Sequence, residues 1–192
     1  MAADAHTNFS LDGLIKQVGD QKYPPVEKWN PDFCGDIDMR IAADGTWFYM
    51  GTPITRKRMV RLFASVLRKD EDGKTYLVTP VEKIGITVDD AHFVALSVDQ
   101  LDEQGQHLLV FETNIGDKVI AGADNPVRVD INPVTGEPRP YIRVRGNLEA
   151  LIARSVFYEL VNLAETVEKG DGAELFIQSA GQDFSLGEWS DE

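Results

Sequence analysis

The sequence has little of the chemistry that would place it in an oxidising compartment or a membrane. Among its 192 residues there is one cysteine, Cys34, so the chain cannot form an internal disulfide bond. No apolar run approaches the roughly 20 residues that a membrane-spanning helix needs. The first ten residues, MAADAHTNFS, lack the positive start and apolar stretch of a signal peptide. We therefore expect a soluble, cytoplasmic protein with no membrane association.

Basic residues are also scarce. Lys and Arg total 19 against 32 Asp and Glu, which gives a net charge of −13. Because nucleic acids attract proteins through Lys and Arg, this charge opposes binding to long nucleic acids. Six bases and a single acid nevertheless lie between Thr55 and Asp70. Such a cationic patch favours a small anionic ligand or a phosphorylated signalling partner, unless the bases pair with nearby acids.

Catalytic motifs are missing as well. No Ser or Cys lies in a nucleophile elbow, no pair of histidines has the spacing of a zinc site, and the GxxxxGK[ST] pattern of phosphate-binding loops does not occur. His92, which follows Asp89 and Asp90, is the acid–base candidate among the histidines. We therefore expect a non-catalytic protein that needs no cofactor.

What the sequence does contain is a repeated order of elements: hairpin, helix, strand. The first copy is DIDMRIAADGTWFYMG, TRKRMVRLFASVLRKD and KTYLVTP; the second is VRVDINPVTGEPRPYIRVRG, NLEALIARSVFYELVNLAE and AELFIQS. This duplication predicts an α+β fold with two similar subdomains, residues 26–88 and 89–192. Residues 1–25 are expected to form a tail and a short helix from Ser10 to Val18. The seam between such subdomains is the usual place for a ligand.

The first hairpin has the clearest local pattern. Apolar and polar residues alternate from Asp36 to Ile41, as in a half-buried strand, and Asp44-Gly45 predicts a two-residue turn. Thr55 is the expected N-cap of the following helix, whose apolar stripe runs from Met59 to Leu67. With that turn, the outward face of the hairpin carries an acid, a base and two aromatic residues: Asp38, Arg40, Trp47 and Tyr49.

The second copy is expected to follow the same logic. Another hairpin is predicted before it, around the turn residues 102–105. Asn147 is the expected N-cap of a helix from Leu148 to Leu163, which ends before the strand ELFIQS. In the strand before Asn147, one face is expected to point outward: Tyr141, Arg143 and Arg145.

These patterns suggest a ligand site at the seam. Arg56, Lys57 and Arg58 stand at a helix N-terminus, where an anion would relieve their mutual repulsion, and Arg40 and Arg143 would assist. The other predicted contacts are ring stacking and polar hydrogen bonding: Trp47 or Tyr49, and Asp38 or Glu82.

Two other functions stay open from the residues alone. Asp36 and Asp38 share one strand face, so a metal-dependent phosphoesterase is the first alternative, with the basic helix start binding the substrate. The second is an adaptor that uses the same exposed face to bind an acidic or phosphorylated segment of another protein.

The run from Cys34 to Ile86 closely resembles an uncharacterised bacterial family, domain of unknown function 1285. The similarity continues through VRVDINPVTGEPRPYIRVRGNLEALI. The resemblance implies a duplicated α+β core whose second half is loosely similar to pleckstrin-homology folds. It also implies a role in signalling, with a nucleotide-like ligand at the seam and no enzymatic activity. Proline is expected in this family where the chain has His92, which weakens His92 as a catalytic group.

Overall fold

The computed structural model describes residues 23–170 and 172–190. The helix predicted from Ser10 to Val18 lies outside the described residues. The fold is α+β, as expected, and the chain divides into two compact units, residues 1–90 and 91–192. None of the helices in the described part of the chain is long and apolar enough to cross a membrane.

The described part of the first unit, residues 23–90, contains one six-stranded sheet and one α-helix. A 3-10 turn, Val26–Lys28, precedes the strands β1 (Phe33–Ile41), β2 (Trp47–Tyr49) and β3 (Thr52–Pro53), then the helix α1 (Lys57–Ser65) and the strands β4 (Leu67–Lys69), β5 (Thr75–Val78) and β6 (Lys83–Val88). The sheet order is β3-β2-β1-β6-β5-β4, and β1 and β6 pair in parallel.

The described residues of the second unit form a six-stranded sheet, a three-stranded sheet and one helix. Its elements are β7 (Phe93–Glu103), β8 (Gln106–Thr113), β9 (Lys118–Ile120), β10 (Val127–Ile131), β11 (Pro138–Arg145), β12 (Leu148–Ile152), α2 (Arg154–Leu163), β13 (Glu165–Lys169), β14 (Gly172–Ser179) and β15 (Gln182–Ser190). The six-stranded order is β10-β11-β12-β7-β8-β9, and β13-β14-β15 form an antiparallel meander.

The two halves are similar, as the duplication predicted, but their elements correspond differently. Each six-stranded sheet consists of two antiparallel three-stranded meanders joined by one parallel pair, β1 with β6 and β7 with β12. Strands β10 and β11 therefore correspond to β4 and β5, and not to the first hairpin. Helix α1 lies between the third and fourth strands of its sheet, whereas α2 follows the sixth strand. The likeness of the second half to pleckstrin-homology folds stays a prediction.

The first hairpin forms, but its turn is one residue longer than predicted. The Gly45 N–H donates to the Ala42 carbonyl and the Ala42 N–H to the Thr46 carbonyl, both at 2.9 Å. Gly45 has a φ of +82°, so the loop is a turn closed by a left-handed glycine. The extra residue shifts the register and pairs Ile41 with Trp47. The expectation that Trp47 faces outward is therefore wrong: its side chain is buried, with 1% exposed.

Helix α1 is shorter than predicted. It begins at Lys57, its N-cap is Arg56 rather than Thr55, and no side chain caps it. It ends at Ser65 because Leu67–Lys69 leaves the helix to pair with β5. Phe63 and Ala64 are the buried residues of the helix, while Val66 and Leu67 are buried just beyond its end.

The segment after Gly146 is a strand where a helix was predicted. Gly146 has a φ of +50°, and Leu148–Ile152 pairs with β11 on one side and β7 on the other. Helix α2 begins only at Arg154, with Ala153 as its N-cap instead of Asn147. Of the three side chains expected to face outward, Arg143 is exposed and Arg145 is half-buried, but Tyr141 is buried.

Two other local predictions have clear outcomes. The hairpin around residues 102–105 is confirmed: β7 and β8 pair antiparallel, Glu103 lies opposite Gln106, and Gln104-Gly105 form the turn. The strand ELFIQS is confirmed within β14, but the strand before it, β13, was missed.

Candidate functional site

The predicted anion-binding residues lie at the N-terminal end of α1. Arg56, Lys57 and Arg58, here named the basic cluster, are all exposed. The first turn of α1 contains no acidic residue and has no side-chain cap. The first N–H groups of a helix have no intrahelical partner, so partial positive charge adds to that of the three side chains.

The basic cluster differs in its ion pairing from many of the other bases in the described residues. Half of the other Lys and Arg residues in the described part of the chain are seen in ion pairs: Arg40, Arg68, Lys83, Arg128, Arg145, Arg154 and Lys169. In residues 23–170 and 172–190, no acidic side chain forms a salt bridge with Arg56, Lys57 or Arg58. Within the described part of the chain, these three bases therefore do not pair with nearby acids, which was the alternative to anion binding.

Helix α1 is fixed to its sheet by aromatic stacking. The Trp47 and Phe63 rings lie 6.1 Å apart and 19° from parallel. Within the described residues, the buried Trp47 indole nitrogen has no hydrogen-bond acceptor. Trp47 therefore supports the helix that carries the basic cluster, and its ring is not available for a ligand to stack on.

The longer turn also exchanges the aromatic residues on the faces of the hairpin. Arg40 is paired with Phe48, and its guanidinium lies 4.9 Å from the centre of that ring. The same guanidinium donates to Asp89 at 2.6 Å. Tyr49 lies opposite Met39 on the other face and is 42% exposed at the end of its short strand. The expected group of Asp38, Arg40, Trp47 and Tyr49 on one face is therefore wrong.

The acidic candidates do not come together in a metal site. Asp36 and Asp38 are exposed, and Glu82 is half-buried in the turn between β5 and β6, where its backbone N–H donates to the Thr79 hydroxyl at 3.0 Å. Among the residues that the structure describes, no three His, Cys, Asp or Glu side chains are grouped to hold a metal ion. The geometry thus gives the phosphoesterase alternative no support.

Arg143 belongs to the second unit, whereas the other predicted ligand residues belong to the first. It is exposed and lies opposite Glu149 in the pairing of β11 and β12. A site at the seam that combines it with the basic cluster stays a prediction.

His92 has a structural environment rather than that of an exposed acid–base group. It is buried at the start of β7, and its Nδ1 accepts the backbone N–H of Glu149 at 3.2 Å. Its own backbone N–H donates to the Glu149 carbonyl at 3.1 Å. These bonds hold β12 beside β7.

A polar network in the first unit was not predicted. Arg68 is buried, with 7% exposed, and donates to Asp70 at 2.6 Å and to the carbonyl oxygens of Val26 and Trp29 at 2.9 and 2.6 Å. Lys83 donates to the same Asp70 carboxylate at 2.5 Å. Burial alone raises the pKa of Asp70, but hydrogen bonds and charge from Arg68 and Lys83 outweigh it, so this pKa lies below its ordinary value.

Tyr76 lies beside this network. Its hydroxyl donates to Asp72 at 2.6 Å, and this bond, with burial, raises the pKa of Tyr76 to about 12. The Lys83 ammonium lies 4.1 Å from the centre of the Tyr76 ring. Arg68 and Lys83 are thus committed to internal partners, although the sequence places Arg68 in the same cationic stretch as the basic cluster.

Two grooves in the second unit were also missed. One, of about 430 Å³, lies between the six-stranded and three-stranded sheets, and its polar lining includes His107, Glu165 and Asp183. The other, of about 360 Å³, is bounded by the start of β11, the end of β12 and the first turns of α2. Their lining residues come from separated elements, so no local sequence pattern marks them.

Comparison with known proteins places nearly all of the described region in one family. Models of the N-terminal and C-terminal domains of DUF1285, a domain of unknown function, match residues 24–91 and 92–186. A DUF1285 family protein from Silicibacter pomeroyi DSS-3 is similar in structure, with a TM-score of 0.81 and 50% identity over 92% of this chain and 96% of that one. A second, from Shewanella baltica OS155, has a TM-score of 0.49 and 28% identity over 65% of this chain and 90% of that one.

No match was found among the curated proteins. The resemblance drawn from the run Cys34 to Ile86 is confirmed, and the chain belongs to the DUF1285 family.

Proposed function

We propose that this protein is a non-catalytic, cytoplasmic regulatory or signal-transduction module that binds a small anionic ligand through the basic cluster. The observation that supports it is the state of Arg56, Lys57 and Arg58: three adjacent exposed bases that form no salt bridge within the described residues of a chain with net charge −13. Bases without acidic partners on an acidic chain are suited to an anion from outside.

The position on the helix strengthens this preference. Positive side chains at a helix N-terminus cost about 0.3–1 kcal/mol each when exposed, because they add to the partial charge of the free N–H groups. A phosphate or carboxylate reduces the repulsion among these positive charges, and its oxygens accept hydrogen bonds from the N–H groups of the first turn. An anion at the first turn of α1 would therefore supply the negative charge that no acidic residue of this turn provides.

The positive charge of the basic cluster selects an anion but does not distinguish a nucleotide from other anions. That distinction needs an aromatic side chain on which the base can stack. A nucleotide-like ligand needs a stacking partner, and burial of Trp47 leaves Tyr49, which is 42% exposed, as the remaining predicted aromatic residue. Asp38 and Arg40 lie on the opposite face of the hairpin from Tyr49, so the proposal gives them no part in holding a ligand that stacks on Tyr49 and rests on the basic cluster.

Binding can be tested with a panel of nucleotides and phosphorylated metabolites, read by thermal shift and calorimetry. We expect at least one compound to stabilise the protein, and the triple variant Arg56→Ala, Lys57→Ala, Arg58→Ala to lose that stabilisation. The matched control changes three exposed lysines elsewhere, Lys28, Lys74 and Lys118, to Ala and alters the net charge equally. Stabilisation by no compound, or equal losses in the two triple variants, would contradict the proposal.

The adaptor alternative uses the same bases and is distinguished by one further arm of the panel. A phosphorylated acidic peptide that binds while every small phosphate fails would favour the adaptor. The phosphoesterase alternative predicts turnover of a generic phosphoester with a divalent ion, which we do not expect.

A further inference from the structure

The three-stranded sheet of the second unit has one open edge. Strand β13 lies at that edge, and within the described residues its backbone pairs with β14 alone. At the other edge of the sheet, β15 packs against β10. All five residues of β13 are exposed. An edge strand presents a row of unpaired N–H and C=O groups, to which another extended chain can add.

The features that commonly protect an edge from such pairing are largely missing from β13. Those features are a proline, a bulge or a lysine that points away from the sheet. The strand, ETVEK, contains no proline and pairs with β14 without a shift of register. Its lysine, Lys169, donates to Glu174 of the neighbouring strand. The remaining charges of the strand belong to Glu165 and Glu168, and these do not repel a positively charged chain.

The larger groove of the second unit, of about 430 Å³, is lined in part by the same strand. Glu165 and Val167 belong to its lining, and they share one face because successive side chains of a strand point to opposite faces. Glu168 belongs to the other face. A chain paired with β13 would therefore direct every second side chain toward the groove. Domains that bind peptides by adding a strand recognise alternate side chains in this way.

The groove combines a buried apolar floor with acidic walls. Leu109 and Ile177 are the buried apolar members of its lining, with 1% and 2% exposed. Residues directly opposite each other on neighbouring strands share a face. One face of the three-stranded sheet thus carries two opposed pairs from the groove lining: Glu165 with Phe176, and Asp183 with Gln178.

The two acids of the groove have no basic partner in the described residues. Asp183 accepts a hydrogen bond of 3.1 Å from the Gln178 side-chain amide, which is neutral. Glu165 forms no ion pair with any described residue. The described lining contains no lysine or arginine, and its histidine, His107, lies beside Asp102. A positively charged side chain entering the groove would therefore meet acids that no internal base has neutralised.

We propose that the open edge of β13 pairs with an extended, basic segment of another protein, and that alternate Lys or Arg side chains of this segment enter the larger groove. Main-chain hydrogen bonds to β13 provide affinity, and Glu165 and Asp183 provide the preference for bases. The charge of the region supports a basic occupant, because residues 165–192 contain eight acids and one lysine. Two copies of so acidic a region repel each other, which disfavours pairing of β13 with itself.

The test measures binding of fluorescent peptides to the full chain by anisotropy. The probe is Ac-TKVKVKT-NH2, and Ac-TEVEVET-NH2 is its acidic counterpart. Two further versions of the basic peptide carry backbone N-methyl groups, one on the lysines and one on the valines. An added strand directs alternate N–H groups to the edge and the others to solvent. We therefore expect the basic peptide to bind, the acidic one not to bind, and one N-methylated version alone to lose about tenfold in affinity.

Two double variants of the protein test the groove. Glu165→Gln with Asp183→Asn should weaken binding of the basic peptide about fivefold, because each exposed charge pair contributes modestly. The matched control is Glu168→Gln with Asp99→Asn, which removes the same charge from the reverse faces of β13 and β7. It should change the affinity less than about twofold, since general attraction to the acidic chain is weakened equally in both.

Hydrogen exchange locates the contact. Exchange of the β13 amides should slow when the basic peptide is added. No binding of that peptide, equal affinity for the acidic one, equal effects of the two N-methylations or equal losses in the two double variants would overturn the proposal. Protection of β13 that rises with protein concentration in the absence of peptide would also overturn it, because a second copy would then occupy the edge.

This inference does not rest on the basic cluster, which belongs to the first unit. The triple variant of the basic cluster should bind the basic peptide normally. Loss of metabolite binding in that variant concerns the proposed function alone, whereas failure of the peptide to bind the wild type concerns β13 alone.

Discussion

The Arg68 guanidinium donates a hydrogen bond of 2.6 Å to the backbone carbonyl of Trp29, 39 residues earlier in the chain. The same NH1 group also donates to the Val26 carbonyl at 2.9 Å, while Nε donates to Asp70. One buried side chain on β4 therefore holds the proline-rich segment around the 3-10 turn against the first sheet. Arg68 is a structural residue, although it stands in the cationic stretch of the sequence.

Replacement of Arg68 should measure this attachment. Arg68→Ala leaves two carbonyls and part of the Asp70 carboxylate without a donor, so we expect a loss of about 3 kcal/mol in the free energy of unfolding. Arg68→Lys should lose nearly as much, because a single ammonium cannot reach three acceptors. Urea unfolding is the measurement, and Arg56→Ala, an exposed residue, should change stability by less than about 0.5 kcal/mol. A small effect of Arg68→Ala would show that the segment is held by other contacts.

Asp70 should make the stability of the protein depend on acid pH. Its pKa is lowered in the folded state, since the donors Arg68 and Lys83 outweigh the effect of burial. Its contribution is therefore full above the unfolded-state pKa near 3.9 and is lost as pH falls through the lower folded value. The difference in unfolding free energy between the wild type and Asp70→Asn should shrink as pH falls below about 4. A difference that stays constant through this range would contradict the assignment.

Tyr76 should titrate late because of Asp72. Its pKa of about 12 has the hydrogen bond to Asp72 as its largest cause and burial as the second. Asp72→Asn should therefore move the titration of Tyr76 back toward 10.0 without reaching it. Ultraviolet absorbance titration follows the step, and Tyr76→Phe identifies it. A late step that is unchanged in Asp72→Asn would assign the shift to burial instead.

The side chain of Asp36 occupies the space beside Gly85. A Cβ at position 85 would lie 1.9 Å from Asp36 Oδ1 and 3.1 Å from its Cγ, where β1 and β6 pair. Asp36 is exposed and its carboxylate can turn away, so Gly85→Ala should destabilise the protein by no more than about 1 kcal/mol, the cost of a displaced side-chain rotamer. In Gly85→Ala combined with Asp36→Ala, most of this loss should disappear, a coupling that chemical denaturation can measure. Gly122→Ala is the control, because its nearest contact would be 3.4 Å, and its effect should simply add to that of Asp36→Ala.

How much of the fold could be predicted depends on whether the signal was local. The Gln104-Gly105 hairpin was predictable because its turn and its alternating strands agree. The Asp44-Gly45 pair suits both a two-residue turn and the longer loop that forms, and the difference of one residue reversed the faces of Trp47 and Phe48. Leu148–Ile152 fits helical and strand spacing alike, and its pairing with β11 and β7, distant in sequence, decides the outcome.

The candidate site divides in the same way. The adjacency of Arg56, Lys57 and Arg58 at a helix start could be read from the sequence, because it depends on neighbouring residues alone. The partners of Arg68, 39 and 42 residues away, could not. Nor could the convergence of Arg139 and Arg154 on one groove, since it depends on how β11 and α2 pack.

Trp47 has one stabilising and one destabilising effect on the folded protein. Its ring stacks on Phe63, but among the described residues its indole N–H finds no acceptor, and a buried N–H without a partner costs about 1–3 kcal/mol. Trp47→Phe removes that penalty and keeps an aromatic ring, so we expect it to change the free energy of unfolding by less than about 1 kcal/mol, because the cavity it creates offsets the gain. Trp47→Ala should lose about 3–5 kcal/mol.

Urea unfolding of the two variants separates these effects. If Trp47→Phe costs nearly as much as Trp47→Ala, the indole N–H makes a favourable bond and the assignment is wrong. Because the ring is buried beneath α1 and does not stack on a ligand, Trp47→Phe should also leave anion binding at the basic cluster unchanged. If Trp47→Phe is stable but no longer binds the anion, Trp47 contributes to the ligand site and this interpretation is wrong.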